Sequence, residues 1–253
     1  MKKLSLILIA LSLVTFTVQA QQSETRNVEN FHAVDAGGSF SVYLKKGNTQ
    51  KVVIEGESSN VERIITEVRN GTLKIYAKSG SWKSSIHKTK VYVTFTKLDG
   101  LSGSGSGSTR LESSVSGSDF KLSSSGSGSL HCEDLLSFSG KVKISNSGSG
   151  SVNVEEIKAD DLSVSNSGSG SLRIHDGSTD YQSINCNGSG SVKMEGVASN
   201  VCNINKTGSG SVYVYVIKEL NGSSTGSGNV VVKGSDAKMN FNSTGSGKLR
   251  TVN

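Results

Sequence analysis

The sequence predicts an all-β fold, a solenoid of about eight coils of roughly 20 residues, started by a β-rich cap with one short helix. Three observations carry this. Gly-Ser-Gly recurs with its first glycine at Gly105, Gly126, Gly148, Gly168, Gly188, Gly208, Gly226 and Gly245, at intervals of 21, 22, 20, 20, 20, 18 and 19 residues. Apolar residues keep a two-residue phase with those glycines, and the 253 residues include no proline that would interrupt a ladder for want of an N–H.

The phase separates this chain from a flexible Gly/Ser linker. Six positions before the first glycine stand Phe120, Val142, Leu162, Gln182, Cys202, Leu220 and Met239; four before it, Leu122, Ile144, Val164, Ile184, Ile204, Gly222 and Phe241. Four after it come Leu130, Val152, Leu172, Val192, Val212, Val230 and Leu249, and nine after it Leu135, Ile157, Gly177, Val197 and Ile217. Side chains alternate faces along a strand, so these columns face inward and the Ser, Thr, Asn and charged residues between them face out. The glycines are expected on the inward side, where two walls of a coil converge and no side chain fits, and they are expected to supply the unusual dihedrals of a corner as well. A phosphate-cradling glycine loop would need a strand-to-helix junction and a lysine at fixed spacing, and neither is present. At roughly 4.8 Å per strand, eight coils make a rod of about 38 Å.

In chain order, Lys2 and Lys3 precede an apolar run from Leu4 to Val18, and Val18-Gln19-Ala20 supplies small residues for cleavage. Residues 1–20 therefore read as a secretory signal peptide, too short in its apolar run for a membrane span. The mature chain then has no transmembrane stretch, and its formal charge falls from +6 to about +4. Residues 21–30 read as a linker. Residues 31–100 read as the cap: strands at Phe40–Leu44 and Lys51–Glu55 around a turn, a short helix from Ser58-Ser59-Asn60 through Val61, Ile64, Ile65 and Val68, a hairpin at Asn70-Gly71, and a strand over Lys90–Lys97. Such a cap covers the solenoid's first open edge. Residues 101–253 are the repeat solenoid.

Basic residues are scattered, with no Lys/Arg run interleaved with aromatics, so nucleic acid is not an expected partner. The three cysteines do not pair: Cys132 and Cys202 share inward columns but lie four coils apart, roughly 19 Å at strand spacing, beyond bridging distance. Both read as core residues, and Cys186 reads as a free thiol near a corner.

The run FHAVDAGGSFSVYLKKG at 31–47, NGTLKI at 70–75 and VYVTF at 91–95, leading into serial Ser-Gly-Ser-Gly coils, resembles the auto-transporter adhesin head GIN domain family of secreted bacterial envelope proteins. The resemblance spans roughly 31–250 as one domain. It implies a right-handed parallel β-helix-like fold and export, its name implies adhesion, and it supplies no catalytic residues. No translocator strands follow the repeats, so self-transport is not expected.

For chemistry, the columns seven and eight positions after the first glycine bring together Glu133, Glu155, His175, Asp176 and Glu195, with Arg173 and Lys193 two positions earlier to offset them. Stacked carboxylates of this kind would suit Ca²⁺, the only cofactor the sequence suggests; a solvated acidic edge at a turn is the simpler reading. No catalytic or cofactor-binding residue is assigned, and no metal-ligand spacing occurs. A second array is hydroxyl-rich: Ser127, Ser149, Ser169, Ser189, Ser209, Ser227 and Ser246 follow the first glycine in every repeat from the second onward, and Ser, Asn or Thr precedes it. Its hydroxyls are expected to bond one another along the stack or to meet a glycan. The expected protein is an exported, non-catalytic envelope binding or adhesion module, in the periplasm, on the outer surface or secreted, with a cell-surface glycan or envelope protein as partner. The alternative is a carbohydrate-active β-helix enzyme, or a calcium- or glycan-binding surface, built on the acidic edge.

Overall fold

Alternate burial along each coil is what closes the chain into a solenoid. In the computed structural model, which describes residues 21–78, 86–234 and 236–252, about 68% of the chain is strand and the solenoid has about eight turns. The proposed signal peptide lies outside the described residues.

Each full coil presents three walls. The first carries Phe120–Ser124 and its successors, the Gly-Ser-Gly corner follows, the second carries Ser108–Leu111 and its successors, and the third begins with Val115–Gly117. Coils pair in parallel. Val142, Leu162, Gln182, Cys202, Leu220 and Met239 are consecutive ladder partners, as are Ile144, Val164, Ile184, Ile204, Gly222 and Phe241. One continuous core runs from Phe31 to Ala237, and Val142, Ile144, Leu162 and Val164 are fully shielded within it. No coil could bury that face alone, so each depends on its neighbours.

The column nine after the glycine departs from expectation at two coils, and the interval explains both. In the 22-residue repeat Leu136, not Leu135, pairs with Ile157 and is buried, because register shifts on either side absorb the extra residues. In the 18-residue repeat Val216 takes the inward place opposite Ser199, and Ile217 is left 47% exposed.

The glycines supply the expected corner dihedrals at Gly188, Gly208, Gly226 and Gly245, but what excludes a side chain is not the lumen. A Cβ on Gly150, Gly170 or Gly190 would sit 1.8, 1.8 or 1.9 Å from the carbonyl oxygen of the equivalent glycine one coil below. The exclusion therefore acts along the stack rather than across the lumen. Gly188 adds a left-handed φ of 139°, which L side chains rarely adopt.

A buried polar column two residues before the first glycine was not anticipated: Ser124, Asn146, Asn166, Cys186, Lys206 and Ser224 are all buried. Its members pin the corner. Asn146 Nδ2 donates to Gly150 O at 3.1 Å and to Asn166 Oδ1 at 3.1 Å, Asn166 Nδ2 donates to Gly170 O at 2.9 Å, and Cys186 Sγ donates to Gly190 O at 3.4 Å. Lys206 Nζ donates to Gly208 O at 3.0 Å, and burial pushes its pKa down. Cys186 is thus a buried corner clamp and not an accessible thiol. Replacing Asn166 by Leu strands the Gly170 carbonyl and the Asn146 amide, and should cost about 1–3 kcal/mol in urea unfolding.

All three cysteines are buried and unbridged. Burial pushes the Cys132 thiol from 9.0 up to about 12, and raises Cys202 as well. A group with a raised folded pKa gives stability that is present below its unfolded value and lost as pH rises through the folded one. The urea midpoint should therefore fall between about pH 9 and 12. Cys132→Val should flatten that fall, and thiol reagents should label the native protein at none of the three.

The cap extends the stack by one turn, with Ala33–Gly37 parallel to Gly100–Gly103 and Ser41–Lys46 parallel to Ser108–Leu111. Asn70 (φ 50°) and Gly71 (φ 71°) make the tight turn that joins Ile64–Arg69 to Thr72–Ala77. That pairing claims residues expected in the helix, which is only Ser58–Val61 and has no side-chain N-cap bond. The strands Ser41–Lys46 and Lys51–Glu57 do not pair with each other, because Lys90–Phe95 lies between them. The expected linker is corrected too. Gln21–Arg26 is a strand antiparallel to Lys51–Glu57, anchored where Arg26 donates to Glu24 at 2.8 Å, to Val61 O at 2.9 Å and to Ile64 O.

Candidate functional site

The acidic edge lies along one border of the second wall, exposed throughout. Its carboxylates are engaged separately. Glu133 accepts from Arg110 at 2.6 Å, Asp134 from the Leu135 N–H at 2.8 Å, and Asp176 from the Gly177 N–H at 2.7 Å. Glu156 pairs with Lys158 at 3.0 Å. Among the described residues no three His, Cys, Asp or Glu side chains converge where they could hold a metal ion. Glu133, Glu155, His175, Asp176 and Glu195 are thus strung along the stack, and the cation beside Glu133 is Arg110 of the preceding coil, not Arg173 or Lys193. Millimolar Ca²⁺ should leave the melting temperature unchanged; a rise abolished by Glu155→Gln with Glu195→Gln would restore the calcium reading.

Three cations of the second wall, Arg110, Arg173 and Lys193, lie in one outward row, which runs Tyr92, Tyr43, Arg110, His131, Asn153, Arg173, Lys193 and Tyr213 in ladder order. The Tyr43 and Tyr92 rings stack at 5.3 Å, and Lys193 and Lys233 stand over Tyr213 and Tyr215 at 5.9 and 4.7 Å. His131 is held below its usual pKa by burial and by Arg110.

The first wall is chemically different. Its three outward rows, read along the stack, are Ser163, Ser183, Asn203, Asn221 and Asn240; Ser165, Asn185, Asn205, Ser223 and Asn242; and Ser167, Asn187, Thr207, Thr225 and Thr244. Over five coils this surface holds only Ser, Thr and Asn, all exposed or half-buried. Strand spacing sets the rows' members about 4.8 Å apart, and neighbouring rows roughly 6.6 Å apart. The exposed corner serines, Ser127 through Ser227, continue it. Among the described residues their hydroxyls do not bond one another. The bonds between coils lie two residues further on, where Ser129 donates to Ser108 at 3.3 Å and the Ser191 and Ser211 hydroxyls accept the N–H groups of Ser211 and Asn229 at 3.4 and 3.2 Å. The corner hydroxyls face solvent.

Toward the cap the same wall becomes a trough. Ala33, Gly37, Gly100, Ser102 and Ser104 leave its floor low, while Lys74, Tyr76 and Arg69 rise on one side and Lys121 on the other. Two adjoining hollows of about 460 and 300 Å³ share Asp35, Arg69 and Lys74. Glu67 holds the rim by accepting from Arg69 and from the Tyr76 hydroxyl, each at 2.9 Å. These rows were present in the sequence at the odd phase of the repeat, but Ser and Asn there look the same as any solvated surface.

A parallel solenoid with glycine corners and a GGSF-type first turn can be compared with known proteins. A family model described as "Putative auto-transporter adhesin, head GIN domain" matches residues 30–235. The chain belongs to this family. No curated protein matches it. Among solved structures, one from Parabacteroides distasonis ATCC 8503, called a "putative lipid binding protein", is 23% identical, with a TM-score of 0.80 over 92% of this chain and 97% of that one. A "putative adhesin" from the same organism is 20% identical, with a TM-score of 0.85 over 93% and 98%. Another, from Parabacteroides merdae ATCC 43184, is 20% identical, with a TM-score of 0.78 over 92% and 96%. At these identities the likeness is one of fold. The GIN family and these neighbours are described as adhesins or binding proteins and not as enzymes. Among the described residues no helix is long and apolar enough to cross a membrane.

Proposed function

We propose that this GIN-domain protein is an exported, non-catalytic adhesion module of the cell envelope, and that it holds neutral glycan on its first wall. The observation that carries the reading is the uncharged Ser/Thr/Asn surface spanning the coils from Ser163 to Thr244. A neutral glycan offers many hydroxyls and no charge. An array of donors and acceptors without ions meets it without stranding a buried charge. Each contact is weak, but a rigid row repeats it coil after coil, and a polymer engaging several coils gains avidity. Export rests on Lys2, Lys3 and the apolar run ending at Ala20. The lipid-binding description of one neighbour favours a different ligand, but acyl chains need apolar surface, and the outward rows of this wall from Ser163 to Thr244 are Ser, Thr and Asn.

The test is a glycan array probed with the mature chain, with a reducing-end assay on every glycan bound. Retention of neutral glycans without new reducing ends is expected. Release of reducing ends would instead establish a carbohydrate-active enzyme, and binding only to envelope proteins would remove the glycan reading.

A further inference from the structure

Among the described residues the three large apolar side chains most open to solvent are Tyr181 (60%), Ile217 (47%) and Val252 (46%). Ile217 lines a groove, and Tyr181 stands beside it, one residue from the lining residue Asp180. On the third wall, near its junction with the first, this groove of about 300 Å³ crosses successive coils over Ala159, Ala198 and Ile217, and Lys158, Asp160, Asp180 and Asn200 line it as well. Tyr181 follows Asp180 directly and shares its ladder rung with Asp161 and Val201.

We infer that this groove is a discrete saccharide subsite, taking one or two rings of a neutral hexopyranose chain, with Tyr181 as stacking platform and the Asp180–Asn200 pair as hydroxyl reader. The inference rests on the glycan reading above and gives it a defined anchor. The chemistry is specific. A pyranose has an apolar C–H face, which an exposed aromatic ring covers, and an equatorial rim of vicinal hydroxyls, each both donor and acceptor. Asn200 Nδ2 already donates to Asp180 Oδ1 at 2.8 Å, so an amide carbonyl and a carboxylate lie side by side as a fixed acceptor pair for two adjacent hydroxyls. The backbone beneath is also fixed. The buried Thr179 hydroxyl donates within reach of Asp160 O at 3.1 Å and Tyr181 O at 3.0 Å, tying two neighbouring coils together under the site. The low floor at Ala159 and Ala198 admits a ring, and Ile217, turned outward by the short repeat, supplies apolar contact at the far end. Lys158 also lines the groove, but its ammonium is paired with Glu156 at 3.0 Å, so Asp160 and Asp180 leave the rim with excess negative charge that disfavours uronates and sulfated sugars and commits the site to uncharged sugars.

The experiment is calorimetric titration of the mature chain with cellotetraose, mannotetraose and chitotetraose, and with tetragalacturonate as the acidic counterpart. Three proteins are compared: wild type, Tyr181→Ala, and the first-wall variant Asn185→Lys with Asn203→Lys. All altered side chains are solvent-facing, and melting curves check that each variant folds. At least one neutral tetramer should bind, tetragalacturonate should not, Tyr181→Ala should weaken binding by about tenfold or more, and the first-wall variant should retain it. Asp180→Asn and Asn200→Ala should each weaken it too. Binding that survives Tyr181→Ala but is lost in the first-wall variant would overturn the subsite and leave the wall reading standing. No neutral tetramer binding at millimolar concentration would also overturn the subsite, and the wall reading would then be judged on polymers by the array. Preference for tetragalacturonate would overturn the choice of neutral sugar.

Discussion

Gly190→Val should prevent the protein from folding to its native stability, with a loss greater than the roughly 1–3 kcal/mol usual for overpacking. The Cβ alone would stand 1.9 Å from Gly170 O and 2.8 Å from Asn166 Nδ2. One obstacle is backbone, fixed by the coil below, and the other is the amide that clamps Gly170 O. Neither can move without opening the corner of the adjacent coil. Because Gly190 does not need a left-handed φ, the effect isolates the steric term. Ser189→Ala, one residue away and exposed, should shift the melting temperature little. Equal tolerance at both positions would mean that the coils are not stacked in this register.

Ile204→Asp should be as damaging by a different route. Ile204 is 2% exposed and lies between Ile184 and Gly222 in the ladder. The buried cation on that face, Lys206 two residues on, already donates to Gly208 O, and drawing it to a new carboxylate would strand that carbonyl. The carboxylate must therefore ionise in the interior at that cost or fold only when protonated. The expected cost exceeds about 4 kcal/mol, and because coils lean on one another it should spread to the flanking coils as lost amide protection. An unchanged thermal midpoint would contradict the inward assignment of this column.

These two residues mark what is legible in the sequence. Ile184 and Ile204 keep a strict two-residue phase with the glycines, and side-chain alternation turns that phase into a register. The Asn70-Gly71 turn is equally readable, since both residues accept positive φ. The failures have physical causes. Counting from a glycine puts Leu135 and Ile217 inward, but the repeats of 22 and 18 residues shift register before that point. Val61, Ile64, Ile65 and Val68 fit a helical face as well as a strand, and the hairpin partner decides between them. Gln21–Arg26 is polar at every position, so its strand is set by the edge of Lys51–Glu57 that it covers, not by its own pattern. Asn146, Asn166 and Lys206 are polar in an inward column because the glycine carbonyls they satisfy are inside. Only the folded corner reveals those carbonyls.

The candidate site was half legible. The hydroxyl row beside the glycine was plain, but the two further rows that make it a wall were not singled out, because Ser and Asn facing water carry no signal of their own. The acidic column was conspicuous and yet resolves into separate pairs and caps. Charge drew the eye in the sequence. The uncharged wall is what the fold lays out as a continuous surface.

The most direct test of the account is glycan-array binding by Asn185→Lys with Asn203→Lys, set beside wild type at matched melting temperature. Both side chains face water in the middle of the first wall, so the fold should persist while two ammonium groups interrupt the array. Polymeric neutral glycans bound by wild type should be held markedly less tightly by the variant, because only the groove beside Tyr181 is left to hold them. Undiminished binding would contradict the account and move the adhesive surface to another wall.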